Sequence, residues 1–186
     1  DVTKVLVPYS ERMQLLLQNS EKYYSPKKRP SGHDISERFA EDKGGAIPPN
    51  LLQIPNTESN SKYLRCCQII GVSGHPARFP ERLPEFFIRL LTDPGDTVLD
   101  IFAGSNTTGA AAEALGRRWI AFEIEQKYLA ASAFRFLDGV DEETVKLIYG
   151  QLIAEGAKMI PIPQLPAQQF LLEEAGEYRA STSGEK

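Results

Sequence analysis

The stretch "DIFAGSNTTG", residues 100–109, sits between two segments of opposite character. Before it, "TVLDIF" (97–102) is short, apolar and β-rich; after it, "TTGAAAEALG" (107–116) is strongly helix-forming and ends on a glycine suited to the position just past a helix. Strand, small-residue turn and helix is the predicted order. The next run, "RWIAFEI" (118–124), reads as a second strand followed by a helix from about Gln126 to Phe136. Asp100 to Glu123 therefore forms one right-handed βαβ unit. In an open α/β sheet the ligand lies at the carboxyl ends of the strands, which is over this turn.

The composition of the turn narrows the ligand. A dinucleotide requires G-x-G-x-x-G so that bare backbone reaches a pyrophosphate, whereas this turn has Gly104 followed by Ser105, Asn106, Thr107 and Thr108. A phosphate loop requires Gly-Lys-Ser/Thr at its end, and none is present. One glycine with several hydroxyl and amide groups suits a compact polar ligand whose carboxylate uses the helix N-terminus. Glu123 falls at the end of the second strand, 19 residues after Gly104, where a carboxylate can accept both hydroxyls of a ribose. The same residue is also what a plain solvated strand end would carry.

The remaining sequence falls into three zones: 1–70, 71–137 and 138–186. The first is loop-rich, with a helix expected at "SERMQLLLQ" (10–18), a turn at Gly44 and Gly45, and a candidate strand at "LLQI" (51–54). A helix beginning near Ser59 would bury Tyr63, Leu64, Cys67 and Ile70 and stop at Gly71. The second zone adds "LPEFFIRLL" (83–91) as a helix with Pro84 in its first turn, and "DPGD" (93–96) as a turn. The third holds an amphipathic helix in "DEETVKLIYGQLIAEG" (141–156), then a proline-rich stretch and a polar end expected to be disordered.

Of the formal charge of −4, the third zone carries nine acidic and four basic residues, so the acidity belongs to it. By contrast "KYYSPKKRPSGH" (22–33) has four cations beside two tyrosines and no acid. That pattern suits a loop tracking a phosphate backbone, and equally a solvated surface run. No apolar run approaches the roughly 20 residues that span a bilayer. Adjacent Cys66 and Cys67 fit neither ordinary disulfide pairing nor metal-ligand spacing, which points to buried thiols in a reducing compartment such as the cytoplasm.

The segment "HPARFPERLPEFFIRLLTDPGDTVLDIFAGSNTTGAAAEALGRRWIAFEIE" (75–125) resembles the cofactor-binding half of the β-class DNA amino-methyltransferases, in which the cofactor motif follows the target-recognition region. The likeness is greatest to cytosine-N4-specific members. It extends from "DVTKVLVPYSERM" through "RPSGHDI" and "GGAIPPNLLQIPNTESNS" to "AASAFRFLD", roughly residues 1–138. It implies an α/β, Rossmann-like S-adenosylmethionine-dependent methyltransferase fold, represented by its cofactor-binding half, with a loop-rich DNA-recognition segment.

By the same resemblance, Asp100, Phe102, Gly104, Ser105, Asn106, Thr107 and Thr108 wrap the methionine end of S-adenosylmethionine. Asn106 stands where many relatives have a second glycine, which leaves open how the backbone meets the carboxylate. Glu123 matches the ribose ligand and Ile124 a wall for the adenine. His75, Pro76 and Phe79 match the segment closing over the cofactor, although a single His also serves as a cap or packing group. Lys27, Lys28, Arg29, Ser31 and His33 are the expected contacts to double-stranded DNA, the basic trio to phosphates.

The family activates a poorly nucleophilic exocyclic amine with a Ser/Asp-Pro-Pro-Tyr/Phe motif. The one Pro-Pro pair here is "IPPN" (47–50), with neither the acceptor nor the ring. The sequence therefore reads as a fragment or split subunit starting at Asp1, whose partner would be the N-terminal catalytic half. The expected activity is N4-methylcytosine formation in a restriction-modification system. Adenine-N6 methylation and a non-catalytic DNA-binding or cofactor-sensing module remain the alternatives.

Overall fold

The computed structural model describes residues 1–20, 30–32, 38 and 41–154. It falls into two compact units. The boundaries differ from the sequence zones, because the helix expected near Ser59 shares a core with helices much further along the chain.

The first unit comprises Asp1–Gln53 and Arg89–Leu91. A 3-10 turn, Val2–Val5, is capped by the Asp1 carboxylate, which accepts the Thr3 N–H at 3.0 Å. Helix α1, Glu11–Gln18, starts where expected, with the Ser10 hydroxyl accepting the Met13 N–H. Val7 and Ala46 form an isolated antiparallel bridge. Val5 is the one buried hydrophobic side chain among the described residues of this unit, in line with the small core expected there. The strand expected at 51–54 is not formed. Leu51 is exposed, and among the described residues no neighbouring strand takes the backbone groups of this apolar run.

In the second unit, helix α2 spans Lys62–Ile70, with the Ser61 hydroxyl as its N-cap and Gly71 left-handed at φ 73° as its stop. Its inner face is Tyr63, Cys66 and Cys67. Helix α3, Arg82–Leu91, carries Pro84 buried in the first turn, and its last residues belong to the first unit. Strand β1 is Thr97–Asp100, helix α4 Thr107–Ala114 and strand β2 Arg118–Ala121. Gly116, φ 73°, ends the α4 segment as its position in the sequence required. The strands are parallel, in register from Thr97 opposite Arg118 to Asp100 opposite Ala121. Helix α5, Gln126–Ser132, tightens into a 3-10 turn, Ala133–Arg135, and helix α6 is Glu142–Ala154.

Two cores result. Ala111 and Ala112 of α4 pack with Ile88, Phe136 and Trp119, with Val98 and Ala121 at the margin. Trp119 stacks on Phe136 at 4.9 Å and its indole N–H donates to Glu113 at 2.9 Å. Helices α2, α5 and α6 enclose the other core, which includes Tyr63, Cys67, Phe134, Val145 and Leu152. On the opposite face of the sheet Leu99 and Ile120, paired across the strands, are both exposed.

Cys66 and Cys67 are free and buried, as expected. Burial pushes both thiols up, and pushes the Tyr63 hydroxyl up to about 12. The folded chain thus holds these protons more tightly than the unfolded one. Their contribution to stability is complete below the ordinary thiol range of about 8.5 and is lost as pH rises above it. The urea midpoint is expected to fall steadily between pH 8 and 10, and to stay constant there once both cysteines are replaced by alanine apart from the later Tyr63 phase. An unchanged wild-type midpoint across that range would contradict the assignment.

Candidate functional site

The site lies where β1 and β2 end and α4 begins. Beyond the regular strands, the Phe122 N–H still donates to the Asp100 carbonyl at 2.8 Å and the Ala103 N–H to the Phe122 carbonyl at 2.9 Å. The Asp100 carboxylate accepts the Phe102 N–H at 3.0 Å, which starts the turn. Gly104 (φ 53°) and Asn106 (φ 55°) are both left-handed. A Cβ on Gly104 would stand 3.1 Å from the His75 imidazole, so conformation and close approach both demand glycine there.

Asn106 is the N-cap of α4. Its Oδ1 accepts the Gly109 N–H at 3.0 Å, while its Nδ2 is buried without a hydrogen-bond partner among the described residues. An orphaned amide at a helix N-terminus favours an anionic or carbonyl oxygen nearby. The Ser105 and Thr107 hydroxyls, both buried, bond to each other at 3.2 Å. Thr108 is half-buried.

Glu123 reaches back across the turn. One carboxylate oxygen accepts the Gly104 N–H at 2.8 Å and the other the Glu125 N–H at 3.0 Å. Each oxygen keeps a lone pair, so a pair of ribose hydroxyls can still be accepted. Past it, Ile124 is 95% exposed, and Phe102 is 84% exposed beyond β1. The His75 ring meets the Tyr128 ring edge-on at 4.6 Å, and the His75 N–H donates to the Tyr63 hydroxyl at 2.9 Å. Phe79 is half-buried and Pro76 exposed.

The structure brings His75, Gly104, Asn106 and Glu123 together. Ser31 is exposed in a turn of the first unit; Lys27, Lys28, Arg29 and His33 lie outside the described residues. Three contributors were missed. Gly109 abuts the Asn106 side chain, and Arg135 bonds the turn at Ser105 through two nitrogens, with Glu58 behind it. A lone Arg in the apolar run "AASAFRFL" was the available signal, since a charge there needs buried partners.

The model of a family described as DNA methylase, of the N6/N4 type, matches residues 3–134. The chain belongs to this family. It is 58% identical over 154 residues to the type II methyltransferase M.PvuII of Proteus hauseri, covering 82% of this chain and 46% of that one. It is 51% identical over 83 residues to the DNA adenine methyltransferase YhdJ of Escherichia coli (strain K12), covering 45% and 26%. A solved structure, the PvuII DNA methyltransferase (cytosine-N4-specific), superposes with a TM-score of 0.56 at 58% identity, over 57% of this chain and 38% of that one. The chain spans less than half the length of these relatives. Its α/β arrangement is part of a Rossmann-like, S-adenosylmethionine-dependent methyltransferase fold.

Among the described residues no helix is long and apolar enough to cross a membrane.

Proposed function

We propose that this chain is the S-adenosylmethionine-binding and DNA-recognition part of a site-specific methyltransferase that forms N4-methylcytosine beside a restriction enzyme. The observation that carries the reading is the glycine turn at the start of α4, held to the end of β2 by Glu123. The orphaned Asn106 amide and the helix N-terminus suit the amino-acid carboxylate of the cofactor, and Glu123 suits its ribose. Bound there, S-adenosylmethionine would supply the methyl group. Cytosine-N4 is preferred over adenine-N6 because the likeness to the PvuII enzyme extends over 82% of the chain, against 45% for the adenine enzyme.

Double-stranded DNA is the proposed substrate. Lys27, Lys28 and Arg29, with Ser31 and His33, are the proposed contacts, because a basic loop without acids suits phosphate positioning. A second polypeptide segment bearing the amine-activating motif is the proposed partner. Leu99, Ile101 and Ile120 leave an apolar sheet face uncovered among the described residues, and each strand has an unpaired edge. The cytoplasm of a prokaryotic cell is the matching location.

The test is calorimetric titration with S-adenosylhomocysteine. Binding by the wild-type chain and a loss of about 1–3 kcal/mol in Glu123→Ala are expected, the cost of leaving ribose hydroxyls without their charged acceptor. Equal affinity in both proteins would remove Glu123 from the site.

A further inference from the structure

We propose that Arg135 and Glu58 form a clamp fixing the distance between the two walls of the cofactor cleft, with Arg135 a positioning residue for the Ser105–Thr108 turn. The inference rests on the assignment of that turn to S-adenosylmethionine.

One wall is the turn itself. Arg135 Nε donates to the Ser105 carbonyl at 2.6 Å and Nη2 to the Ser105 hydroxyl at 2.9 Å, so one guanidinium grips one residue at two points. Ser105 lies between two left-handed residues, Gly104 and Asn106, in a backbone with few conformations to choose from. Fixing its carbonyl fixes the direction of the peptide leading into Asn106 and hence into α4.

The other wall is His75. Its N–H is held by the Tyr63 hydroxyl and its carbonyl by Arg78 Nη1. The two walls are joined behind the cleft. Glu58 pairs with Arg78 at 3.6 Å and with Arg135 at 3.5 Å, and the Arg135 guanidinium lies over the Tyr63 ring at 4.9 Å.

Stability alone does not account for this arrangement. The Arg135 side chain is 8% exposed and Glu58 17%, and ion pairs so placed are often replaceable by packed apolar groups at no loss. Two cations converging on one carboxylate gain instead a defined geometry. That geometry spans Ser105 and His75, the two residues flanking Gly104.

The discriminating feature is which half of the cofactor suffers. The turn serves the amino-acid end, while Glu123 serves the ribose, and of these two Arg135 hydrogen-bonds the turn. Wild type, Arg135→Met, Arg135→Lys and Glu58→Gln would each be titrated with S-adenosylhomocysteine and with methylthioadenosine, which lacks the amino-acid end. Thermal melts run in parallel. Arg135→Met is expected to weaken S-adenosylhomocysteine by about 10- to 100-fold, the worth of two charge-assisted hydrogen bonds. Methylthioadenosine should change by less than about threefold. Arg135→Lys should recover part of the loss, and Glu58→Gln should show a smaller loss of the same selectivity.

Parallel weakening of both ligands, or no weakening of either, would overturn the clamp. Arg135→Lys carries the same test should the Met variant fail to fold. A wild-type chain that binds neither ligand would overturn the cofactor assignment itself, and the clamp with it.

Discussion

Purified chain incubated with tritiated S-adenosylmethionine and duplex DNA is expected to incorporate no detectable methyl label. Holding cofactor and DNA together is insufficient when the exocyclic amine keeps its lone pair delocalised in the base and nothing grips that base outside the stack. The one Pro-Pro pair, Pro48–Pro49, is flanked by Ile47 and Asn50, which supply neither the acidic or hydroxyl acceptor nor the stacking ring. Ile47 is 71% exposed, in the first unit. Adding a separate polypeptide that carries the Ser/Asp-Pro-Pro-aromatic segment of a PvuII-like enzyme is expected to restore transfer. The rise should be at least roughly 100- to 10,000-fold, the usual worth of an activating acceptor. Substituting Leu99 and Ile120 together with Lys should abolish that rescue while leaving the chain folded, since both side chains are exposed. Robust incorporation by the chain alone would instead place amine activation among residues assigned here to structure, beginning with "IPPN" and "IPNTESN".

The strand-turn-helix centred on Gly104 was legible because its signals are local. An apolar β-rich run, a turn of small residues and an alanine-rich segment closed by Gly116 each act within a few positions of themselves. Helix α2 was legible for the same reason: its start was read near Ser59, two residues before the Ser61 cap, and Gly71 marks its end. The strand expected at 51–54 was not, since a short apolar run extends as a strand only if a neighbour accepts its hydrogen bonds, and that neighbour is nowhere encoded in the run itself. The second strand stops at Ala121 rather than Ile124 because the Glu123 carboxylate turns back to the Gly104 and Glu125 amides.

Within the site, residues along one turn could be read and those converging from elsewhere could not. Glu123 was found through its spacing from Gly104. Arg135 stands 30 residues from Ser105, and Glu58 77 residues from Arg135, separations at which no periodicity carries information. The helix predicted to continue to Phe136 gives way at Ala133 to a 3-10 turn. Arg135 is the last residue of that 3-10 turn.

Gly109→Ala and Gly150→Ala are expected to change stability in opposite directions, although both replace a helical glycine by the best helix former. Gly150 lies in α6, exposed, with nothing within 4 Å of the added methyl, so alanine there should stabilise by about 0.5–1 kcal/mol. Gly109 occupies the first turn of α4, and its added Cβ would fall 2.3 Å from Asn106 Oδ1 and 2.8 Å from both Cγ and Nδ2. The clash can be relieved only by expelling the Asn106 side chain or shifting the helix. Expulsion removes the N-cap bond and leaves the buried Gly109 N–H without its acceptor, at about 1–3 kcal/mol in all. Residual overpacking adds about 1–3 kcal/mol, and the better helix propensity offsets about 1. The net loss expected is about 1–5 kcal/mol, read from urea unfolding at pH 7. Because Asn106 also fixes the turn over which the cofactor is proposed to lie, S-adenosylhomocysteine affinity should fall by at least about tenfold in Gly109→Ala, and not at all in Gly150→Ala. Equal and favourable shifts in the two variants would mean that the cap is dispensable, and that the left-handed geometry of Asn106 is maintained from the other side of the turn, by the hold of Arg135 on Ser105.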